Sequence, residues 1–222
     1  MADPSVARER VAAAARRLAD ERLVHGTAGN VSERTGELVA VTPTGARLET
    51  LTASEVVVVD LAGDHVEGEL AATSELQLHL GIYRRYGAGA VVHTHAPVAT
   101  ALSCVLDELP VIHYQMLALG GPVRVAPYAT FGTAELADAT LGALRGRNAA
   151  LMSNHGAVVH GPDLQTAADW SVLLEWACEL YWRAAAIGTP RALDDEQQAA
   201  FRDAVAERGY GEVRSRRRRD AG

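Results

Sequence analysis

Residues 91–97 read VVHTHAP, an apolar segment that gives two of its positions to histidine and ends at a proline. On a β-strand successive side chains point to opposite faces, so His93 and His95 project from one face while Thr94 points away. The two imidazoles are therefore neighbours, and the strand holds them either as satisfied core residues or as ligands of a metal. Pro97 can open a helix through VATALSCVL, since proline is tolerated in a first helical turn. A strand followed directly by a helix is thus the local unit.

Outward from this unit, strand and helix alternate. VARERVAAAARRLADERL, Val6 to Leu23, carries apolar residues at helical intervals and predicts an opening amphipathic helix. HGTAGNVSE breaks it, and LVAVT and VVVVDL follow as short strands separated by the turn sequences RTGE and AGDH. A helix from Glu75 to about Tyr86 precedes the histidine strand. Downstream come a strand, a helix opened by Thr133, a strand pair around His155, a long apolar helix in PDLQTAADWSVLLEWACELYWRAAAIG, and a last helix from about Asp194 to Arg208. Strands flanked by helices on both sides predict an α/β fold, a three-layer α/β/α sandwich around a central mixed, largely antiparallel sheet. The expected organisation is a single domain over residues 1–212 and a basic, disordered tail over 213–222.

The chain has 222 residues, of which 48% are hydrophobic, enough for one substantial core. Its formal charge of −7 argues against nucleic acid as a partner, because backbone phosphates require a basic face. Only Cys104 and Cys178 are present, with no metal-type CxxC spacing, and no apolar leader follows MADPSVARER; a reducing cytoplasm and no membrane span are expected.

A catalytic zinc takes three protein ligands and keeps a position open. His93 and His95 supply two, and His155, where the apolar strand LMSNHGAVV turns at His-Gly, is the candidate third. His25, His65, His79, His113 and His160 read as ordinary core or surface residues. GTAGNVS, TPTG and ATSE place small and hydroxyl residues where backbone amides can meet an anion, although each alone is also plain turn and capping chemistry. Glu75, in a helix's first turn, is favoured there by the helix dipole and, beside a metal, becomes a candidate general base.

The ordered set GTAGNVS, TPTG, TSE, VVHTHAP, IHY, APYATFGT and NHG resembles the class II aldolase/adducin family over nearly the whole chain, from the first helix to GYGE. The resemblance implies reversible cleavage of a ketose 1-phosphate, of the L-fuculose or 5-deoxyribulose 1-phosphate type, to dihydroxyacetone phosphate and a short aldehyde via an enediolate. It implies one Zn2+ per subunit on His93, His95 and His155, with Glu75 as a further ligand in the substrate-free state and as the catalytic glutamate. It also implies a substrate-phosphate site of Gly29, Asn30, Thr44, Gly45, Thr73 and Ser74 with Thr27 close by, and a homotetramer with sites at subunit interfaces. Tyr114, from a neighbouring subunit, is then an acid, and Tyr210 a further catalytic tyrosine on a C-terminal segment. The hydroxyl pair here is Thr73-Ser74 where relatives carry two serines, and the tail RSRRRRDAG has no counterpart in the family pattern.

Within the family, methylthioribulose-1-phosphate dehydratases keep the glutamate and are the nearest rivals; pentulose-phosphate epimerases carry aspartate in its place. An adducin-like structural or interaction domain is the rival of a different kind. Such a domain has no physical reason to hold three histidines and a glutamate together.

Overall fold

The computed structural model describes residues 4–208, so Tyr210 and the tail expected at 213–222 lie outside the described residues. The histidine segment forms β5 (Ala90–Thr94), buried along its whole length. In chain order the elements are α1 (Pro4–Asp20), β1 (Asn30–Thr35), β2 (Leu38–Val41), β3 (Val57–Asp60), β4 (His65–Glu67), α2 (Leu76–Tyr86), β5, α3 (Pro97–Ser103), β6 (Glu108–Leu109), β7 (Val123–Ala126), α4 (Ala134–Ala143), β8 (Ala149–Met152), β9 (Gly156–Gly161), α5 (Leu164–Ile187) and α6 (Asp195–Arg208). The sheet runs β4-β3-β2-β1-β5-β9-β8-β7-β6, which puts β5 at its centre. Its pairings are antiparallel except β7 with β8, in agreement with the mixed, largely antiparallel sheet expected.

Alternation along the strands builds two cores. Ala90 and Val92 of β5, with Val31 and Ala40, pack under α1, α3 and α5 through Val11, Leu18, Ala99, Leu164 and Leu174. Val91, with Val39, Val41 and Val158, packs under α2 and α4 through Leu78, Ile82, Tyr83, Leu136 and Leu141. Each wholly buried valine contributes about 1.5–3 kcal/mol of apolar burial. The odd-numbered face of β5 therefore looks at α2, and His93 and His95 share it.

Two boundaries differ from those expected. The opening helix ends at Asp20 rather than Leu23, because Arg22 takes a left-handed φ of 60° and the Leu23 amide bonds back to the Leu18 carbonyl, closing the last turn. Leu23 still buries itself in the core beneath α1. In addition, β1 begins at Asn30, inside the stretch read as a break. Its polar residues Asn30, Ser32 and Glu33 are buried, and they are extended because β2 and β5 pair with them from both sides. Tertiary pairing overrides the weak strand signal of the local sequence.

Gly156 opens β9 beside the end of β5. A Cβ there would lie 2.3 Å from the Thr94 carbonyl oxygen and 3.3 Å from His95 Cδ2, so only glycine lets these strands pair beside the histidines. Gly156→Ala is expected to cost about 1–3 kcal/mol through overpacking, or roughly 2–4 °C in Tm per kcal/mol. Thermal unfolding checks this, and an unchanged Tm would mean that the strands part freely.

Candidate active site

Three imidazoles meet at the C-terminal end of β5. His93 and His95 arrive from its α2-facing side, and His155 from the turn joining β8 to β9, where Asn154 adopts a φ of 55° and the His155 amide bonds to the Met152 carbonyl. One ligand atom from each ring lies within 4.8 Å of the others. The Nε2 atoms of His93 and His95 are 2.9 Å apart, and His93 Nδ1 is 2.9 Å from the Ala157 carbonyl oxygen. That carbonyl only accepts, so Nδ1 carries the proton of the neutral ring and the Nε2 lone pair faces the cluster.

Glu75 caps α2 from the other side. Its Oε2 is 3.1 Å from His93 Nε2 and its Oε1 is 3.5 Å from His155 Nε2. Burial alone would raise the Glu75 carboxyl, but the charge and hydrogen bond of His93, the Asn30 amide and His155 hold it well below the usual carboxylate range. Burial would likewise lower His93, yet the Glu75 carboxylate and the Ala157 carbonyl raise it. Burial, then the neighbouring His93 and His155, pushes His95 down to about 3; His155 is lowered by burial and His93.

This donor set fits a divalent cation. Two ring nitrogens 2.9 Å apart leave room for one proton between them, and Glu75 Oε1, although buried, has no hydrogen-bond partner among the described residues. A cation would satisfy the converging lone pairs and the orphaned carboxylate oxygen together.

Glu75, His95 and His155 open onto a cavity of about 430 Å³. Its walls include every residue expected at the phosphate site, Thr27, Gly29, Asn30, Thr44, Gly45, Thr73 and Ser74, together with Glu75, His95 and His155. Gly29 is needed at its position: φ is +95°, and a Cβ would lie 3.0 Å from the His93 carbonyl oxygen. Asn30 lines the cavity, but its side-chain amide is engaged elsewhere, donating to Glu75 Oε2 at 2.9 Å and accepting from His79 Nε2. No arginine lines this cavity among the described residues, so an anion there would rest on amides and hydroxyls.

Tyr114 stands apart. It begins a 3-10 segment, Tyr114–Leu119, stacked on His113 at 4.3 Å and tilted against Phe201 of α6 at 4.8 Å, and it does not line the cavity of its own chain. Tyr128, Phe131 and Asn154 do line it, and the sequence reading gave them no role. The two exposed aromatics within the turn-rich APYATFGT were the available signal for that part of the wall.

Comparison with known proteins shows the family. Residues 9–182 match the family model described as Class II Aldolase and Adducin N-terminal domain, and the chain belongs to that family. It is an aldolase, a carbon–carbon lyase. It is 42% identical over 180 residues, 80% of this chain and 83% of the other, to L-fuculose phosphate aldolase of Escherichia coli. It is 39% identical over 186 residues, 83% of this chain and 84% of the other, to 5-methylthioribulose-1-phosphate/5-deoxyribulose-1-phosphate aldolase of Rhodospirillum rubrum. A solved structure of an L-fuculose 1-phosphate aldolase superposes with a TM-score of 0.88 at 34% identity, covering 93% of this chain and 98% of that one. Among the described residues no helix is long and apolar enough to cross a membrane.

Proposed function

We propose that the chain is a zinc-dependent aldolase that reversibly splits a ketose 1-phosphate, of the L-fuculose 1-phosphate or 5-deoxyribulose 1-phosphate type, into dihydroxyacetone phosphate and a short aldehyde. The observation that carries this reading is the convergence of His93, His95, His155 and Glu75 beside a cavity that His95, His155 and Glu75 line together with small and hydroxyl residues suited to a phosphate. Composition supports it from another direction. Carbon–carbon cleavage beside a ketone needs an electron sink, either a lysine Schiff base or a metal. All 21 basic residues of this chain are arginine, so it has no lysine to form an imine.

His93, His95 and His155 would hold the ion, which supplies Lewis-acid stabilisation of the negative charge that develops on the ketose carbonyl and neighbouring hydroxyl oxygens. Thr27, Gly29, Thr44, Gly45, Thr73 and Ser74 seat the phosphate and so fix the reacting carbons over the cluster. Glu75 carries the proton. In the cleavage direction it protonates the carbon left when the bond breaks; in condensation, as an ionised carboxylate, it removes that proton from dihydroxyacetone phosphate. Asn30 keeps Glu75 in place from the sheet side. Tyr114, which does not line the cavity of its own chain, serves the site of a neighbouring subunit in a homotetramer, where it accepts the proton of the substrate hydroxyl. Tyr210 acts near the same site. Two unpaired cysteines accord with a cytoplasmic enzyme.

The test is turnover of zinc-loaded protein on both ketose phosphates, with dihydroxyacetone phosphate measured by a coupled reductase. Release of dihydroxyacetone phosphate with lactaldehyde or acetaldehyde is expected. Conversion to a dehydrated ketone or to a 4-epimer without dihydroxyacetone phosphate would replace this reading by a dehydratase or epimerase; no turnover with zinc bound would favour a structural domain.

A further inference from the structure

Beneath the cavity a second polar structure runs from Glu75 and Asn30 into the core. Glu75, His79 and Tyr83 are spaced by four along α2, and Asn30 and Ser32 by two along β1. Four helical residues advance about 6 Å and two strand residues about 6.6 Å, so the two ladders stay in register where α2 lies over the sheet. The side chains link them: Tyr83 OH and Ser32 Oγ are 2.6 Å apart, Ser32 Oγ and His79 Nδ1 2.6 Å, His79 Nε2 and Asn30 Oδ1 2.5 Å, and Asn30 Nδ2 and Glu75 Oε2 2.9 Å. His79 and Ser32 are completely buried, and Tyr83 is 1% exposed.

The direction of this chain follows from one end. An ionised Glu75 only accepts, so the Asn30 amide nitrogen must face it and the amide oxygen must face His79. That oxygen only accepts, so His79 Nε2 carries a proton. Burial keeps His79 neutral, its pKa pushed down to about 3, so Nδ1 accepts the Ser32 hydroxyl proton. Ser32 Oγ then accepts from Tyr83. With Glu75 ionised, every donor in this chain points toward the carboxylate.

We propose that His79 is a positioning residue for catalysis: by donating to Asn30 Oδ1 it fixes the orientation of the Asn30 amide, which holds Glu75 Oε2 and leaves Oε1 as the oxygen that exchanges a proton with substrate. The inference rests on the proton-transfer role given to Glu75 above. His79 touches neither substrate nor metal and acts through Asn30. Without its donor the Asn30 amide is free to rotate and turn its oxygen toward the carboxylate, so Glu75 loses a hydrogen bond and meets a repulsive dipole instead.

The test uses His79→Leu, His79→Asn and His79→Gln in the zinc-loaded protein. Glutamine carries its amide nitrogen near the position of Nε2 and can still donate to Asn30; asparagine reaches only Ser32, and leucine neither. Loss of an outer partner of this kind costs about 10–100-fold. The leucine and asparagine variants should lose that much in kcat and in deuterium exchange into dihydroxyacetone phosphate, followed by NMR without aldehyde. KM should stay nearly constant and zinc content and Tm close to wild type, and glutamine should restore most of the rate. In a double variant with Glu75→Gln, His79→Leu should add no further loss, because both act through one carboxylate. If the leucine variant does not fold, the asparagine and glutamine pair carries the comparison. Wild-type exchange in His79→Asn beside an inactive Glu75→Gln would overturn the role of His79 alone, as would equal losses in asparagine and glutamine variants that follow their losses in Tm. Wild-type exchange in Glu75→Gln would overturn the role of Glu75 itself, and that of His79 with it.

Discussion

Glu75→Gln is expected to lower kcat by about a thousandfold while leaving zinc bound and the fold intact. The estimate lies within the roughly 10²–10⁴-fold range for removing a general acid–base group. Glutamine keeps the shape of the side chain and an oxygen that can accept from Asn30 at the place of Oε2, so the buried amide keeps a partner. What it loses is basicity, since an amide neither takes nor returns a proton near neutral pH. The loss should fall on kcat with KM little changed, because the phosphate is seated by Thr44, Thr73 and their neighbours rather than by Glu75. Metal analysis with steady-state kinetics checks this. A zinc-loaded Glu75→Gln protein with near wild-type turnover would remove the proposed base.

His95→Ala is the second large effect. It deletes one of three converging nitrogens, and its cost should exceed the roughly 10–100-fold typical of losing a residue that merely supports a ligand. At limiting zinc we expect more than a hundredfold loss of activity, with bound metal falling in parallel. Among the three histidines His95 is the cleanest choice. His93 is wholly buried and bonded to Ala157, so its removal would leave buried Glu75 without its nearest imidazole partner, whereas His95 is half-buried and lines the cavity. Its pKa is already pushed down to about 3, so the folded protein holds it neutral and alanine removes no buried charge. Circular dichroism should be unchanged, and His65→Ala, a change at an exposed strand residue on the sheet edge, serves as the control with full activity. A His95→Ala protein that stays loaded and active would mean that the cluster is not the metal site.

Much of this was legible locally because the relevant distances are short. The period of two on a strand puts His93 and His95 on one face with nothing else known, and the bounds of α6 follow from neighbouring residues, whereas Glu75, expected in the first turn of α2, sits one position before it. Asn30 shows the limit. Its sequence, GTAGNVS, reads as an anion-binding turn, and Gly29 does line the cavity, yet Asn30 begins a strand and its side chain serves Glu75 and His79. His79 was read as an ordinary histidine, and it is indeed buried and satisfied; what a single sequence did not reveal is which partner satisfies it.

The chain by itself determined the alternation of strand and helix, the paired imidazoles, the want of any lysine for imine chemistry, and the ordered motifs of the family. Tertiary structure alone decided that β1 and β9 flank β5, that the turn before Gly156 delivers His155 within ligand distance of His93 and His95, and that α2 lies over β1 so that four buried polar side chains link to Glu75. The division has a physical origin. Periodicity is set by the rise per residue and survives in any short window, whereas convergence depends on sheet register and helix placement, which the two cores fix only when the whole chain has packed.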